Sequence, residues 1–344
     1  MRGFLSLSLR LLTNVESLNG VESIGNLSRH RTVPIVVGDE EQGGYTIRFV
    51  PAISGESIAH AYQELLVKFA LEAGLNIGKY SKQMEFLKFT DEKILEEEGI
   101  EPPKNLNDIR RAEAEIIYKD VVADIGGFLF AGEYPIKRTS RFQVGYMIPA
   151  QEDIKATALE AQFHVRHVPS KMEKGKAGET RAQIPYNVEV GSAVYTFTFN
   201  LDLDGISRIS TRFGEESEVE RELEKERPQR VKIAMRALTE LLSSLQYGAK
   251  RTRFLPNVEP LSAVAAYSEK STFIVSPGNF KNFIKTTQKR SQDYQNAVGK
   301  IGEKPVIKIV CFDREGASEG TGMEPCNTLE SFASNILSYV LGEK

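Results

Sequence analysis

Residues 4–12 have the sequence FLSLSLRLL, and residues 14–31 have the sequence NVESLNGVESIGNLSRHR. In the first segment leucine alternates with serine or arginine, which is the period of a strand with one apolar and one polar face. We therefore expect residues 4–12 to begin a β-sheet. The second segment is dominated by Asn, Ser, Gly, His and Arg, and this composition predicts a long polar loop.

A helix is predicted shortly after this loop. Two strand-like runs, residues 32–37 and 45–50, lead to Ser54, whose hydroxyl can cap the first turn of a helix. Apolar side chains then recur with helical spacing and keep one face as far as about Gly74. The chain therefore passes from strands into a helix that can cover one face of the sheet.

The rest of the chain completes an α+β order. Residues 273–301 are rich in Asn, Gln and Lys and predict a loop or a partner-contact region. Strand, helix, strands, helix and strand in succession favour an α+β fold with helices on one face of the sheet, of the ferredoxin-like or RRM-like kind. The other predicted strands are 142–148, 186–203, 261–267 and 306–312, and the other predicted helices are 107–122, 229–246 and 329–341.

Length and composition limit the class of protein. The 344 residues allow one elaborated domain or two ordinary ones. The chain is 41% hydrophobic and has no apolar run long enough to span a bilayer. The apolar start is interrupted by Ser6, Ser8 and Arg10, so we do not expect a signal peptide. Two cysteines are too few for a disulfide framework, so we expect a cytoplasmic protein with no membrane partner.

The net charge is −3, so contacts with nucleic acid would have to come from local basic clusters. Two such clusters lie in loops beside predicted strands, where each can neutralise phosphates. A solvated run of charge is an equally weighted alternative, and a helix that ends near Gly248 favours cations after it in any case. The first cluster contains Lys137, Arg138, Ser140 and Arg141, and the second contains Lys250, Arg251 and Arg253.

The polar loop is itself a candidate for contacts with an RNA backbone. Its side chains can donate hydrogen bonds to phosphates and 2′-hydroxyl groups without recognising base sequence. By composition alone, a surface loop whose Asn and Ser side chains bond its own backbone is the more frequent case. The candidate contacts in the loop are Asn14, Ser17, Asn19, Ser23, Asn26, His30 and Arg31.

Two further groups add polar candidates. The free amides at Ser54 and Gly55 can hold a phosphate, although every helix start shares that property. His164 and Arg166 lie two residues apart and so share one face of a regular strand. Four histidines and two cysteines, scattered along the chain, offer a poor ligand set for zinc, and we expect neither a metal nor a cofactor.

Two pairs of carboxylates leave a catalytic alternative open. Asp120 and Asp124 lie four residues apart on a predicted helix, and Asp202 and Asp204 lie two apart at the end of a predicted strand. Either pair can be imagined to bind Mg²⁺ for RNA cleavage, although such pairs are more often solvated or capping groups. The sequence contains no Walker loop, Rossmann fingerprint, nucleophile elbow or zinc-protease helix motif.

Seven segments, in order along the chain, resemble the DevR-type backbone subunit of the type I-A CRISPR Cascade complex, a member of the RAMP superfamily. The first segment is highly specific, and the similarity spans at least residues 3–270. The segments are NVESLNGVESIGNLSRHR (14–31), VPAISGESIAHAYQ (50–63), DIGGFLFAG (124–132), KRTSRFQVGYMIPA (137–150), EAQFHVR (160–166), YNVEVGSAVYTFTF (186–199) and KRTRFLP (250–256).

The resemblance implies one RRM-like palm over residues 1–344, with a finger insertion at about 75–150 and a thumb hairpin at about 166–188 whose tip is Lys171–Thr180. It implies that copies stack head to tail along the crRNA, which pairs with target DNA, beside other Cascade subunits. The polar loop, the Ser54 helix start, the Lys137 cluster and His164 would then form one RNA-facing surface.

The resemblance also implies that the chain is not an enzyme, because type I relatives lack the catalytic aspartate of the RNA-cleaving type III proteins. DNA cleavage in such systems belongs to a recruited helicase-nuclease. Two alternatives stay open: a metal-dependent endoribonuclease of the RAMP superfamily, and a regulatory protein that binds specific duplex DNA.

Overall fold

The computed structural model describes residues 2–38, 43–168 and 182–343, with the backbone alone for 166–168 and 182–184. Within these ranges the α-helices are α1 (Gly55–Glu72), α2 (Glu92–Glu97), α3 (Asp108–Lys119), α4 (Val121–Gly126), α5 (Glu218–Ser244), α6 (Phe283–Val298) and α7 (Leu329–Leu341). The strands are β1 (Phe4–Glu16), β2 (Gly20–Ile24), β3 (Leu27–His30), β4 (Thr32–Gly38), β5 (Tyr45–Pro51), β6 (Phe128–Phe130), β7 (Ile136–Arg138), β8 (Phe142–Val144), β9 (Ile148–Pro149), β10 (Ala158–Val168), β11 (Ala182–Asp202), β12 (Asn257–Ser268) and β13 (Ile307–Asp313).

The largest sheet is built around β1, which pairs antiparallel with β11 on one side and with β12 on the other. β13 extends the sheet beyond β12, while β8, β9 and β10 all pair with the long β11. β3 runs parallel to β11 and carries β2 at its outer edge. The sheet is therefore mixed, and the predicted α+β class is confirmed, whereas the RRM-like palm stays a prediction.

The alternation predicted for the first strand is confirmed. Four leucines of β1, Leu5, Leu7, Leu9 and Leu11, are fully buried in a core that also contains side chains of α1, α5 and α7. Since neighbouring residues of a strand point to opposite faces, Ser6 and Ser8 lie on the other side of the sheet. There their hydroxyls accept hydrogen bonds from the backbone N–H groups of Val275 and Gly278, both at 3.1 Å.

The predicted polar loop at 14–31 is wrong. β1 continues to Glu16, and β2 and β3 form a hairpin that turns at Gly25, where φ is +60°. β3 pairs with β11 at Asn187 and Val188. The backbone groups of this segment are therefore satisfied largely by strand pairing, and the pairing partner is remote in sequence, so local composition does not predict it.

The helix predicted from Ser54 is confirmed. The hydroxyl of Ser54 accepts a hydrogen bond from the N–H of Ser57 at 3.2 Å and caps α1. Gly55 follows in close contact with the next strand, because a Cβ there would lie 2.5 Å from the carbonyl oxygen of Val144. The helix ends before Gly74, which has φ +72°.

A second, smaller hydrophobic cluster lies within residues 89–136 and gains Leu223 from α5. Much of the predicted insertion at 75–150 therefore has a core of its own. Its last part does not, since β8 and β9 pair with β11 in the main sheet. The strand predicted over 142–148 is thus divided into two short strands, β8 and β9, which both belong to the main sheet.

Two helix predictions need correction. Residues 107–122 form α3 and α4 instead of one helix, because Asp120 has extended backbone angles and caps α4 through a hydrogen bond from the N–H of Val122 at 2.9 Å. α5 begins at Glu218, well before the predicted residue 229. Its acidic first half is held by Arg110 of α3, which forms an ion pair with Glu220 at 2.8 Å.

Residues 273–301 are also not a loop, since they contain α6. The helix buries Phe283, Ile284, Thr287 and Ser291, with Phe283 and Ile284 in a cluster formed with β12 and β13. Two of these four residues are polar, so the apolar period in the sequence is weak. Among the described residues, no helix has both the length and the apolar character needed to cross a bilayer.

Candidate nucleic-acid interface

Asn19 joins two of the predicted contact segments, the polar segment 14–31 and the helix start at Ser54. Its side-chain oxygen accepts hydrogen bonds from Nε of Arg31 at 2.8 Å and from the backbone N–H of Ser54 at 3.0 Å. Its carbonyl oxygen accepts a further bond from the N–H of Arg31 at 2.8 Å. The end of β1, the start of β4 and the N-terminus of α1 are therefore fixed together around one amide side chain.

A second set of predicted residues meets at the loop after α5. Nζ of Lys250 lies 3.1 Å from the hydroxyl oxygen of Ser28 on β3. Burial, and then the charge of Arg253, lowers the pKa of Lys250 below its ordinary value. Lys250 has φ +55°, a left-handed conformation that costs a residue with a side chain about 1–2 kcal/mol. The loop therefore holds this ammonium group against β3.

Aromatic side chains support the same loop. Nη1 of Arg253 lies 3.0 Å from the hydroxyl of Tyr186, and the Tyr186 ring stacks on His164 with their centroids 5.3 Å apart. Phe254 contacts the other side of His164, edge to face, also at 5.3 Å. His164 and Tyr186 are directly opposite in the β10–β11 ladder. The ladder and the loop thus position an exposed guanidinium group.

The two sets are contiguous. Gly20 follows Asn19, and a Cβ on Gly20 would lie 3.5 Å from Nζ of Lys250. The N–H of Ala249 donates to the carbonyl oxygen of Leu18 at 2.7 Å. We call the resulting feature the Asn19–Lys250 surface. It consists of Asn19, Ser28, Arg31, His164, Tyr186, Lys250 and Arg253. Ser54 is buried and its N–H is bonded to Asn19, so the prediction of a free amide at Ser54 is wrong.

His30 does not belong to this surface, contrary to the prediction, because its side chain is fully buried. Its Nε2 lies 2.7 Å from Oε1 of Glu16, and its Nδ1 lies 2.8 Å from the carbonyl oxygen of Arg31. Both ring nitrogens face acceptors, which favours the doubly protonated imidazolium. His30 therefore ties β3 to the end of β1 from inside the protein.

The electrostatics of the Glu16–His30 pair agree with that arrangement. Burial alone would lower the pKa of His30, but the Glu16 carboxylate raises it above its ordinary value. Burial alone would raise the pKa of Glu16, but the contact with His30 lowers it. Glu16 also accepts hydrogen bonds from the hydroxyl of Tyr195 and the N–H of Leu18, both at 2.8 Å.

The other candidates from residues 14–31 have mixed positions. Ser17 is buried and donates to the carbonyl oxygen of Glu189 at 3.1 Å, so the prediction that it contacts RNA is wrong. Asn14, Ser23 and Asn26 are exposed, and Asn26 lies at the turn of the β2–β3 hairpin.

Two further candidates have a described place without a described contact to the surface. Arg251 lies beside Lys250 and lines a separate groove of about 530 Å³ with Leu255 and Arg314. Arg166 lies in β10, where its backbone is opposite Ile184.

The prediction that the Lys137 cluster faces RNA needs correction. Arg138 is fully buried, with an ion pair to Asp124 and another to Glu113 at 3.1 Å. Arg141 is mostly buried and lies 3.3 Å from Asp202. Asp202 and Tyr186 stand near opposite ends of β11, roughly 50 Å apart along the strand at about 3.3 Å per residue. This cluster therefore does not share a surface with Asn19 and Lys250.

The remaining members of that cluster also lie outside the Asn19–Lys250 surface. Lys137 is exposed on β7, opposite Leu129 of β6, which is also exposed. The hydroxyl of Ser140 donates to the carbonyl oxygen of Phe142 at 2.6 Å, next to β8. Gly55 is buried against the carbonyl oxygen of Val144. One side of its backbone is therefore closed to a ligand.

The carboxylates considered for catalysis are engaged in structural contacts. Both oxygens of Asp124 are used by Arg138 and by Arg230, the latter at 3.0 Å. Asp120 accepts from the hydroxyl of Ser81 at 2.6 Å, and burial raises its pKa to about 6. Across the described ranges, no three His, Cys, Asp or Glu side chains are grouped in a way that could hold a metal ion.

Two members of the Asn19–Lys250 surface, Ser28 and Tyr186, are missing from the sequence-based candidates, as is Phe254, which supports His164. Ser28 lies within the quoted polar segment and is distinguished only by its distance to Lys250. Tyr186 and Phe254 meet His164 from two different elements. Tyr186 follows from the sequence only when the register of the β10–β11 hairpin, which pairs His164 with Tyr186, is known.

Comparison with known proteins identifies the family. A family model described as "DevR: CRISPR-associated negative auto-regulator DevR/Csa2" matches residues 7–288. The chain belongs to the DevR/Csa2 family. The resemblance drawn from the sequence segments is thereby confirmed.

Two proteins of Saccharolobus solfataricus are similar to this chain in sequence along most of their length. "CRISPR-associated aCascade subunit Cas7/Csa2 2" is 46% identical over 330 residues, which cover 96% of this DevR/Csa2 chain and 98% of the relative. "CRISPR-associated protein Cas7/Csa2 1" is 34% identical over 317 residues, covering 91% and 94% respectively.

A solved structure shares the fold. A chain of a "CRISPR RNA-guided surveillance complex, pre-nicking" superimposes with a TM-score of 0.50 at 10% identity, over 98% of this chain and 99% of that chain. At this identity the similarity concerns the fold alone. The mixed α+β architecture built on β1, β11 and β12 is therefore found outside the immediate DevR/Csa2 relatives.

Proposed function

We propose that this DevR/Csa2 chain is a backbone subunit of a Cascade surveillance complex and that it binds the guide RNA, the crRNA, through the Asn19–Lys250 surface. The observation that carries the proposal is the convergence of Asn19, Arg31 and Ser54 with Lys250 and Arg253 from four segments of the chain. The close Saccharolobus relative named as an aCascade subunit supports the assignment to Cascade.

The chemistry of the surface suits an RNA backbone. Arg31, Lys250 and Arg253 provide positive charge, and the hydroxyl of Ser28 and the N-terminus of α1 lie beside them. Such groups bind phosphates and 2′-hydroxyls without distinguishing bases. The stacked His164 and Tyr186 rings add a flat aromatic edge on which a base can rest. A subunit of this kind holds any guide and leaves the bases to pair with target DNA.

The proposal includes an assembly. The main sheet with α1, α5 and α7 serves as an RRM-like palm, the region at about 75–150 as a finger, and the hairpin at about 166–188 as a thumb. Copies of the chain stack along the crRNA in the cytoplasm, together with other Cascade subunits. The proposed thumb tip, Lys171–Thr180, lies outside the described residues. The chain has no catalytic role in this proposal.

The test begins with the full chain purified without nuclease treatment, which we expect to carry RNA of guide length as a multi-copy assembly. The double variant Lys250→Gln/Arg253→Gln should weaken RNA binding about equally for unrelated sequences. Each lost phosphate contact should reduce the slope of log K against log salt by about 0.7. The control Lys93→Gln/Lys232→Gln removes the same charge from exposed positions on α2 and α5. Equal effects of the two doubles would contradict the assigned surface.

The nuclease alternative has its own test. Purified protein is incubated with labelled RNA and Mg²⁺, and we expect the RNA to remain intact. Specific cleavage that disappears in Asp202→Ala would contradict the non-catalytic role. Tight binding to one duplex DNA sequence, without RNA binding, would instead favour the regulatory alternative.

A further inference from the structure

Basic charge is concentrated in one part of the chain that the proposed function does not use. Residues 270–304 contain seven basic and two acidic side chains, a net charge of +5 in a chain whose net charge is −3. This segment contains α6 and the strand-free stretch before it. The rest of the protein is correspondingly acidic, so the segment stands out electrostatically.

The fold turns these charges outward. α6 packs through Phe283 and Ile284 on β12 and β13, over the sheet face opposite α1, α5 and α7. Lys281, Lys285 and Lys289 are exposed. Lys285 and Lys289 are four residues apart, so they lie on one side of the helix about 6 Å apart along its axis. The result is a basic stripe parallel to α6, and we call it the α6 stripe.

The lysines of the α6 stripe lie near the N-terminus of α6, where a helix favours acidic side chains. The N-terminus of a helix carries partial positive charge and favours acidic residues, yet the first turn of α6 has none. Lys281 precedes the cap residue Asn282, and Lys285 lies in the first turn. Helix stability therefore gives no reason for cations at these positions.

The α6 stripe is not neutralised by the carboxylates that the structure describes. Across the described ranges, none of Lys281, Lys285 and Lys289 forms an ion pair, whereas nearby Lys270 pairs with Glu303 at 2.7 Å. Glu152 accepts a hydrogen bond from the backbone N–H of Lys281 at 2.5 Å. The three ammonium groups therefore remain available to an external anion.

Other groups beside the stripe fit a nucleic-acid strand. Phe280 is 51% exposed and directly precedes Lys281, so a ring suitable for stacking lies next to the first ammonium group. Arg290 is held by a hydrogen bond to the hydroxyl of Ser276 at 3.0 Å and lies over the ring of Phe273. A fixed guanidinium group at the far end is suited to bind a phosphate.

An acidic protein surface is the other polyanion to consider, and this chain has one in the first half of α5. Three of its glutamates, Glu220, Glu222 and Glu226, form ion pairs within the chain, whereas Glu218 and Glu224 are exposed. The exposed Phe280 ring beside Lys281 decides between the two, because it can stack on a base and has no counterpart on a row of carboxylates. Phosphate is the better match.

We propose that the α6 stripe, with Phe280 and Arg290, binds the phosphate backbone of a nucleic-acid strand other than the guide. β12 and β13, which carry α6, lie on the opposite side of β1 from β11, β3 and β10, which carry the Asn19–Lys250 surface. The two surfaces are thus separate, and one subunit can hold two strands. The contact depends on charge and is independent of base sequence.

The test uses the full chain loaded with unlabelled RNA, to which a labelled DNA of unrelated sequence is added as a single strand or as a duplex. Lys281→Gln/Lys285→Gln/Lys289→Gln should weaken DNA binding at least about tenfold and reduce the salt slope by about 2–3. The matched control is Lys68→Gln/Lys93→Gln/Lys232→Gln, which removes the same charge from exposed positions elsewhere. RNA content should be the same in both triples.

Three outcomes would overturn the proposal: equal weakening by the two triples, absence of DNA binding to the loaded protein, or DNA binding unchanged in the α6 triple while the size of the assembly changes. The last would indicate a protein partner. The single-strand and duplex arms identify which form of DNA is bound. If the chain carries no guide RNA, the free protein with the same DNA still tests the stripe, so failure of the proposed function is distinguishable.

Discussion

The sequences KRTSR at 137–141 and KRTR at 250–253 are nearly the same, yet the protein uses them in opposite ways. In the first, Arg138 is fully buried between Asp124 and Glu113. In the second, Lys250 and Arg253 lie at the surface beside β3 and β11. The difference teaches that a basic cluster indicates phosphate binding only when no buried carboxylate within the fold already claims the charge.

The surroundings explain the contrast. Arg138 also donates to the carbonyl oxygens of Asp124 at 2.9 Å and Arg208 at 2.8 Å, so several acceptors face it. Lys250 meets one neutral hydroxyl, and Arg253 meets another. A buried cation surrounded by acceptors stabilises the fold, whereas a cation with few acceptors retains the capacity to bind a ligand.

The largest expected effect concerns the buried member of the comparison. Arg138→Met should lower the free energy of unfolding by about 3–5 kcal/mol, because Asp124 and Glu113 lose a buried partner. Urea unfolding followed by circular dichroism measures the change. Arg251→Met, at a partly exposed position, serves as the control and should change stability by no more than about 0.5 kcal/mol. A loss below about 1 kcal/mol for Arg138→Met would contradict the structural role.

An intermediate effect is expected for the buried pair behind the Asn19–Lys250 surface. The raised pKa of His30 means that its stabilisation is present below its ordinary value of about 6.5 and is lost as the pH rises through the folded-state pKa. The lowered pKa of Glu16 means that its stabilisation is present above its ordinary value and is lost as the pH falls through the folded-state pKa. The free energy of unfolding should therefore decrease both at high pH, as His30 loses its proton, and at low pH, as Glu16 gains one.

His30→Gln should remove the alkaline part of that profile and lower stability at pH 6 by about 1–3 kcal/mol. Thermal or urea unfolding between about pH 5 and 9 measures it. His60→Gln is the control, since His60 is half-exposed and contacts Glu64 on the surface of α1. If the alkaline decline persists unchanged in His30→Gln, another group is responsible for it.

The smallest effect sharpens the comparison at single charges. Lys250→Gln should reduce the salt slope of RNA binding by about 0.7, the change for one phosphate contact on a single strand. Lys137→Gln, on β7 and away from the Asn19–Lys250 surface, should leave the slope unchanged. Fluorescence anisotropy over a range of salt concentrations measures both. A larger change for Lys137→Gln than for Lys250→Gln would reverse the assignment of the two clusters.

Elements with a strong period are predictable from the sequence. The leucine alternation of β1, the Ser54 cap of α1, the long strand near 186–203 and the terminal helix 329–341 all appear in the structure with similar bounds. Each has a one-sided apolar pattern with many members. α6 was missed because two of its four buried residues are polar, and the 14–31 hairpin because its pairing partner is β11.

The candidate contact residues were also predictable only in part. Polar and basic residue types at 14–31 and 250–253 mark segments that the structure brings together, and the order of the quoted segments along the chain indicates the DevR/Csa2 family. Which members face outward is not encoded locally. His30 and Ser17 point inward because β1 and β11 supply Glu16 and the Glu189 carbonyl as partners, while Asn19 and Arg31 remain at the surface.

The sequence by itself determined the class of fold, the first strand and helix, and the family, because periodicity and segment order depend on local residues. The tertiary structure alone decided that Lys250 and Arg253 of KRTR lie at the surface while Arg138 of KRTSR is buried. It also decided that the Lys-rich segment at 281–289 enters a helix whose lysines are exposed. Burial of a charge depends on carboxylates and strands brought from distant parts of the chain, and that proximity exists only after folding.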